Sequence, residues 1–584
     1  MFTQSGRVTH KSGVALATVV LSFLFACESK QVVDPVDQPA EPAVSLFDEV
    51  SEKVGLHFQH YSGASGKWHV PEILGSGVAL LDYDLDGDLD VYFVQSNDFF
   101  NAASSDAELF PLPADQSPGH KLFANQIIPS GRLTFKDVTE ASGLAEISYG
   151  MGVAVADYDN DGDPDMYVTS YGNNAFYKNN LGKFEKMKDA AGAQDASWST
   201  SASFCDVNND QLADLYVSNY LDYSSTDQTV CRDSLGQQDY CGPQSYSGAS
   251  DALFINTGQG GFVDRSKKWG IKEASSTGLG VSCRDFNQNG TNDVYVANDA
   301  MPNLLWLNDD HQSFDEQGQL LGAAINVNGM SEGSMGIAAG DYDGDGDDDV
   351  FITHWNNETN TLYRNDLNLG FIDVTRQANL ATASLSHTGF GTEFLDIDND
   401  GDLDVFVANG AVQRYIDGRG VLSRNYGQKN QVFINSGKGR FENAGAEAGA
   451  ATQMSFTGRG AAFGDIDNDG DTDVVVSNKD AKARLFVNQV GQSAQWLGID
   501  LQGSRSQRDA LGAEVRLTLG DQTLRRTVRT DGSYLSASDP RIVFGLGETK
   551  AAQSVEVRWP SGHIQVFTGL EVGRYHTLVE GGSQ

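Results

Sequence analysis

Apolar and polar positions along this chain fall into short bursts, and the bursts repeat. A run of small and apolar residues, such as Gly150-Met151-Gly152-Val153-Ala154-Val155-Ala156, stops at an acidic turn. An aromatic and β-branched run follows, as in Met166-Tyr167-Val168-Thr169. Next comes an apolar run ending in asparagine (Leu253-Phe254-Ile255-Asn256, Leu362-Tyr363-Arg364-Asn365, Val432-Phe433-Ile434-Asn435, Leu485-Phe486-Val487-Asn488). A fourth short run closes most repeats, for example Phe135-Lys136-Asp137-Val138-Thr139 or Phe371-Ile372-Asp373-Val374-Thr375. Runs of this length, rich in aromatic and β-branched residues and bounded by turn residues, predict strands. The repeat is therefore four strands.

The acidic turns begin at Asp82, Asp157, Asp206, Asp285, Asp341, Asp396 and Asp465. Self-similarity at this spacing, with several short strands per unit, predicts a propeller. The seventh repeat ends at Asn488 without a fourth run, and an unattached one lies near the N-terminus, Leu46-Phe47-Asp48-Glu49-Val50. That segment is expected to supply the missing outer strand and close the ring, which leaves no long sheet edge exposed. The expected fold is all-β: a seven-bladed β-propeller with calcium-binding hairpin loops, then a small C-terminal β-sandwich-like domain. In the latter, Val515-Arg516-Leu517-Thr518-Leu519 and Val555-Glu556-Val557-Arg558-Trp559 alternate with period two, and an antiparallel sandwich packed on the propeller is expected. The boundaries read as 1–27 signal peptide, 28–45 linker, 46–490 propeller and 491–580 C-terminal domain.

The turns themselves carry chemistry. In DYDNDGDPD, residues 157–165, carboxylates fill alternate positions. Charges that close repel unless a cation lies among them. Side chains at positions 1, 3, 5 and 9, with the carbonyl of position 7 turned inward, form the oxygen cage of calcium; magnesium, which demands tighter octahedral geometry, is the weaker reading. An EF-hand would place Glu at position 12 between helices. Here that position is Phe93, Val168, Val217, Val296, Ile352, Val407 or Val476, within a strand, so the EF-hand and dockerin readings fall away. The candidate ligand set is Asp82, Asp84, Asp86, Asp88 and Asp90; Asp157, Asp159, Asp161, Asp163 and Asp165; Asp206, Asn208, Asp210 and Asp214; Asp285, Asn287, Asn289 and Asp293; Asp341, Asp343, Asp345, Asp347 and Asp349; Asp396, Asp398, Asp400, Asp402 and Asp404; Asp465, Asp467, Asp469, Asp471 and Asp473. Up to seven Ca²⁺ are expected. Loop three has Gln211 where the others have the turn glycine, and loop four keeps two carboxylates, so loop four is expected to bind most weakly.

Composition changes the picture in two places. The formal net charge is −40, and 31 of the 80 acidic residues lie inside the seven loops. Much of the acidity is thus metal-site chemistry, and the remainder repels phosphates, which excludes nucleic acid as a partner. At the N-terminus, Arg7 and Lys11 precede an apolar run from Val14 to Ala26 and then Cys27. The run is too short to span a membrane and reads as a signal h-region. Leu24-Phe25-Ala26-Cys27 resembles a lipobox, with Cys27 the lipidated residue. The expected address is the bacterial cell envelope, as an outer-membrane lipoprotein or secreted, with membrane contact through the lipid only. Export permits disulfides. Cys231 and Cys241 share one insertion and are read as a pair; Cys205 and Cys283 precede loops three and four on equivalent strands, and their pairing is left open.

The loops resemble the FG-GAP or VCBS repeats of integrin α-subunit propellers. The segment from His57 to Asp90 and the insertion ending Tyr240-Cys241-Gly242-Pro243 resemble the bacterial relatives of the cartilage acidic protein family. Gln495-Trp496-Leu497, Gly512-Ala513-Glu514-Val515, Gly532-Ser533-Tyr534-Leu535-Ser536, Phe544-Gly545-Leu546-Gly547 and Val557-Arg558-Trp559-Pro560-Ser561-Gly562 resemble its ASPIC and UnbV domain; Ser506-Gln507-Arg508 departs from it by lacking an asparagine. The resemblance implies an exported calcium-binding propeller and no settled activity. Two functions follow. One is a cell-surface binding or adhesion module for extracellular protein or glycan, using the insertions Asn97–His120 and Asp222–Ser250. The other is a calcium-dependent, lyase-like polysaccharide enzyme, for which His57, His60, Tyr61, Lys67, His69 and Glu72 would hold the ligand; the bland reading of that cluster is a hydrogen-bonded segment covering the channel mouth. Gly329-Met330-Ser331-Glu332-Gly333 matches a nucleophile motif, but it leads into a propeller strand rather than a helix. His354 and Trp355 end a strand; loop packing is the bland reading and a ligand-facing aromatic the alternative.

Overall fold

A computed structural model of the chain describes residues 45–97, 119–226, 229–233, 235–309, 311–367, 369–413 and 426–582. The signal segment, Cys27, nearly all of the linker and most of the Asn97–His120 insertion lie outside the described residues. Each acidic turn joins the first and second strands of a four-stranded antiparallel sheet, and there are seven such sheets among the described residues. The first strands (Val78–Leu81, Gly150–Ala156, Ser199–Cys205, Gly278–Arg284, Ile337–Gly340, Gly389–Leu395 and Gly458–Gly464) lie side by side in chain order, and the last packs against the first. They are buried almost throughout, on both faces. The seventh sheet takes its outer strand from the N-terminus: Phe47 pairs with Asn488 and Glu49 with Phe486, antiparallel.

The asparagine that ends each third strand has a purpose that repeat patterning does not reveal. Its side-chain amide crosses to the preceding sheet and donates to the carbonyl of loop position 2. Asn125 reaches Ile466, Asn179 Tyr83, Asn256 Tyr158, Asn308 Val207, Asn365 Phe286, Asn435 Tyr342 and Asn488 Ile397, all at 2.7–3.0 Å. These seven buried bonds form a cycle, with sheet one tied to sheet seven by the same bond that ties every other pair.

Cys231 and Cys241 are bonded as read from the sequence, and Cys205–Cys283, left open there, is bonded as well. Cys231–Cys241 closes a small ring within the third-sheet insertion, and Cys205–Cys283 joins the first strands of sheets three and four. The second bridge closes a loop of 78 residues, so its loss releases about 4 kcal/mol of chain entropy in the unfolded state. The double variant Cys205→Ala/Cys283→Ala is expected to be less stable by roughly that amount in denaturant titration at unchanged metal content.

The C-terminal region contains a three-stranded sheet with Gln495–Gln502 at its centre and a four-stranded sheet of Gln522–Thr527, Glu514–Leu519, Ser554–Arg558 and Ile564–Phe567. It departs from the antiparallel expectation at one edge: Tyr575–Val579 pairs parallel to Gln495–Gln502, Gly498 opposite Tyr575. The reason is topological, since this strand crosses over from the other sheet and arrives running the same way.

Nor does the region merely rest on the seven sheets. Residues 530–539 leave it and fill the space between the first strands. Thr530 Oγ1 donates to the Val155 carbonyl at 2.8 Å, and Asp531 accepts from Ser203 Oγ and the Cys283 amide, both at 2.6 Å. Ser533 and Ile337 exchange backbone bonds, and Ser533 Oγ donates to the Ala461 carbonyl. Leu535 accepts from the Val153 amide, Ala537 bonds to Val78 and Leu80, and Asp539 donates to Phe463. Tyr534 meets Phe390 edge-on with centroids 4.8 Å apart, and its hydroxyl donates to the Leu74 carbonyl at 3.2 Å. All seven first strands are thereby touched. Small residues make the approach feasible: a Cβ on Gly77 would stand 1.7 Å from the Leu535 oxygen, and one on Gly460 2.6 Å from Ser536 Oγ.

Candidate metal centres

Each acidic loop is a tight backbone coil with two left-handed residues. At position 6 these are Gly87, Gly162, Gly290, Gly346, Gly401 and Gly470, with Gln211 in loop three holding the same conformation at φ 68°. At position 4 they are Leu85, Asn160, Asn209, Gln288, Gly344, Asn399 and Asn468. Asparagine and glycine tolerate this region best, which accounts for their frequency there.

Positions 1 and 9 build the coil. The position-1 carboxylate accepts from the position-6 amide at 2.7–3.1 Å in all seven loops. The position-9 carboxylate accepts the position-2 amide with one oxygen, at 2.9–3.3 Å. Its other oxygen takes the amide of the third-strand asparagine at 2.7–2.8 Å. These two acids are aspartate in every loop, including loop four. Loop four is thus a complete copy of the coil in which Asn287, Asn289 and Thr291 replace the remaining acids, and Asn289 Nδ2 turns away to the Asn308 carbonyl and Asp309.

Five loops gather three carboxylates whose oxygens lie within 4.8 Å of one another: Asp82, Asp84 and Asp86; Asp157, Asp159 and Asp165; Asp341, Asp343 and Asp349; Asp396, Asp398 and Asp404; Asp465, Asp467 and Asp473. Loops three and four form no such acidic group among the described residues. Asp159, Asp398 and Asp467, all at position 3, each hold a buried Oδ1 with no hydrogen-bond partner. Buried acceptors are ordinarily satisfied, and a divalent cation satisfies these, so the residues present fit calcium. At position 7 the side chains of Asp88 and Asp163 accept the amides of Ile128 and Leu181. In loop two Lys178 pairs with Asp159 and with Asp161 at 3.1 Å, supplying part of the missing positive charge from the protein itself.

Burial is the largest influence on these acids, and it pushes them up: Asp82, Asp206, Asp341 and Asp465 to about 6, Asp157 and Asp396 to about 7, Asp293 to about 8 and Asp165 to about 9. A carboxyl that holds its proton near neutrality signals an environment short of positive charge.

The loops also meet the C-terminal region. Tyr575 donates to Asp465 Oδ2 at 2.8 Å, Arg541 donates to the Asp465 carbonyl and to Asn468, Arg526 to the Gly401 carbonyl and the Arg508 amide to Asn160. Trp496 lies flush on loop seven, where a Cβ on Gly470 would fall 1.8 Å from the indole. Loops two, six and seven therefore lie at a domain boundary.

The histidines before loop one each have their own neighbours. His57 is exposed beside Glu52, at 3.4 Å. His60 is buried, accepts the Asp480 amide at 3.2 Å and is held down to about 4 chiefly by burial. His69 Nδ1 lies 2.7 Å from the Tyr223 hydroxyl. Glu72 is buried, accepts from Ser65 and Tyr240, and is raised by burial.

Residues 503–584 match the ASPIC and UnbV family, and residues 157–217, 285–352, 341–407 and 419–476 match the FG-GAP-like repeat. Cartilage acidic protein 1 of Mus musculus is 27% identical over 297 residues, covering 50% of this chain and 43% of that protein. The Homo sapiens protein is 26% identical over 311 residues, covering 52% and 44%. The match thus spans less than half the length of these relatives. Among solved structures, an Agrocybe aegerita lectin that recognises non-reducing terminal N-acetylglucosamine is 14% identical with a TM-score of 0.35, covering 70% of this chain and 86% of that one. The BP39L lectin of Burkholderia pseudomallei is 10% identical with a TM-score of 0.36, covering 71% and 96%.

Proposed function

A chain of FG-GAP-like repeats ending in an ASPIC and UnbV domain, and homologous to cartilage acidic protein 1, is, we propose, a seven-bladed calcium-stabilised propeller that serves outside the cytoplasm as a binding module for protein or glycan. The reading rests chiefly on one observation: five clusters of three carboxylates, three of which hold a buried position-3 oxygen that has no partner. Such sites are stable only when charged from outside, and calcium is abundant only outside the cytoplasm. The ions would neutralise the coils, hold the first two strands of each sheet together, and firm the boundary where loops two, six and seven meet the C-terminal region. Attachment through a lipid on Cys27 fits the same address, and no helix among the described residues is long and apolar enough to cross a membrane. With the loop side partly occupied by the C-terminal region, the opposite side is left for a ligand.

Metal content tests the calcium assignment. Protein dialysed to equilibrium against about 10 mM calcium is expected to hold close to five ions in excess of the buffer by elemental analysis. Asp398→Asn, which alters a buried position-3 oxygen without disturbing the coil, is expected to retain one fewer. Asp285→Asn in loop four is expected to leave the count unchanged. Retention of none, or an equal loss from both variants, removes the assignment. For the binding role, wild-type protein on glycan and extracellular-protein arrays should give a calcium-dependent hit.

A further inference from the structure

On the side away from the C-terminal region, residues just past the second strands of successive sheets meet around a cavity of about 320 Å³. Counted as the fifteenth residue from the first loop aspartate, the equivalent positions are Tyr220, Asp299 and Trp355, and all three line it. Phe390, Met335 and Leu279 add apolar wall, and Glu358 is the second acid. The Tyr220 hydroxyl donates to Asp299 Oδ2 at 2.6 Å, and the Gly333 amide donates to Glu358 Oε2 at 2.8 Å. Asp299 Oδ1 and Glu358 Oε2 both lie within 3.4 Å of one point, the place a Cβ on Gly333 would take. Glycine at 333 keeps that space open. No lysine, arginine or histidine is among the described residues that line the cavity.

We infer that this cavity binds an organic cation, an alkylammonium or guanidinium group seated between Asp299 and Glu358 and against the aromatic rings of Tyr220 and Trp355. Two carboxylates facing one small space, with no lysine or arginine among the described residues that line it, repel an anion and gain most from a positive charge placed between them. Burial already pushes Asp299 up to about 6 and raises Glu358, with Glu358 adding to the strain on Asp299. Aromatic faces add attraction for a cation. The volume stands at the low end for small-ligand sites, which suits one amine or guanidine group and not a saccharide chain. This inference goes beyond the calcium reading and does not depend on it.

The test is calorimetric titration of the full chain at low salt. The probes are agmatine, choline and N-acetyl-arginine amide as cations, methyl α-glucoside as a neutral sugar and glucuronate as an anion. Agmatine or choline is expected to bind, and the arginine amide to match them if the natural source is a basic side chain of a protein partner. Asp299→Asn, which retains an acceptor for Tyr220, and Glu358→Gln should each weaken binding at least about tenfold. Trp355 is 38% exposed, so Trp355→Ala should weaken binding several-fold without touching the fold. Binding of the glucoside as tight as that of agmatine, unchanged affinity in the two acid variants, or no binding of any cation by wild type would overturn the assignment. Metal content, measured in parallel, separates that failure from failure of the calcium reading.

Discussion

Chelation with excess EDTA is expected to lower the thermal midpoint by about 3–8 °C relative to protein in about 2 mM calcium, and by more at pH 8 than at pH 5. The size comes from five three-carboxylate clusters. Extracellular-type sites with dissociation constants of about 10⁻⁴–10⁻³ M each add about 0.7–1.8 kcal/mol by mass action. Set against an unfolding entropy of about 2 cal/mol/K per residue, their sum gives the shift. The pH trend follows from the acids of positions 1 and 9. In the native chain Asp157 and Asp396 are pushed to about 7 and Asp165 to about 9 by burial, whereas unfolded carboxyls titrate near 4. Their contribution to the ion-free state is whole below about pH 4 and is lost as the pH rises toward 9. Calcium binds the deprotonated carboxylates, so its own contribution grows across the same interval. Chelated protein should therefore lose stability from pH 5 to 8 while the calcium-loaded protein holds or gains. Scanning calorimetry at both pH values reads this directly. An EDTA-treated midpoint that rises with pH, or does not move on chelation at pH 8, would end the structural role of the ions.

Loss of the segment at residues 530–539 is expected to be costlier still. Truncation after Val490 removes every hydrogen bond that the first strands make with it, in a region where Val78, Ile337, Ala461 and Tyr534 are 0% exposed. Opening such a surface to water strands backbone groups and apolar area together, and the truncated chain should be recovered aggregated or unfolded. A graded version is Tyr534→Ala. Removing a fully buried aromatic costs about 3–5 kcal/mol, and here it also uncovers Phe390, on whose ring Arg459 stacks at 4.0 Å. Denaturant titration, with gel filtration to follow the truncation, checks both. A monomeric, cooperatively folding truncation would mean that the sheets hold one another without a filler.

The strands were legible in the sequence because their causes are local. Alternation, an acidic coil and a terminal asparagine recur in phase, so the sheets and the outer strand at Phe47–Glu49 could be read from spacing. What was missed acts at a distance. The third-strand asparagines look like simple strand terminators, yet their partners lie 79 to 341 residues away. Gly532-Ser533-Tyr534-Leu535-Ser536 was legible only as a piece of its own domain, because nothing local says that its backbone pairs with Ile337 and Val153. The ligand positions were legible, but not their division of labour: only the hydrogen bonds reveal that positions 1 and 9 form the coil while position 3 is left for the ion. The cavity lining was hidden for another reason. Tyr220, Asp299 and Trp355 occupy equivalent positions but differ in chemistry, so no motif links them.

The pairing of Phe47–Glu49 with residues 486–488 also sets an order of events. Phe47–Glu49 waits for a partner made 441 residues later. Until Arg484–Asn488 emerges, Phe47–Glu49 is a strand with no partner, and contacts this remote form slowly. Nascent chains stalled or cleaved in that window would carry a sticky flank able to recruit strands from neighbouring molecules. Secretion that keeps the polypeptide extended until its final repeat has emerged would spare the cell that hazard.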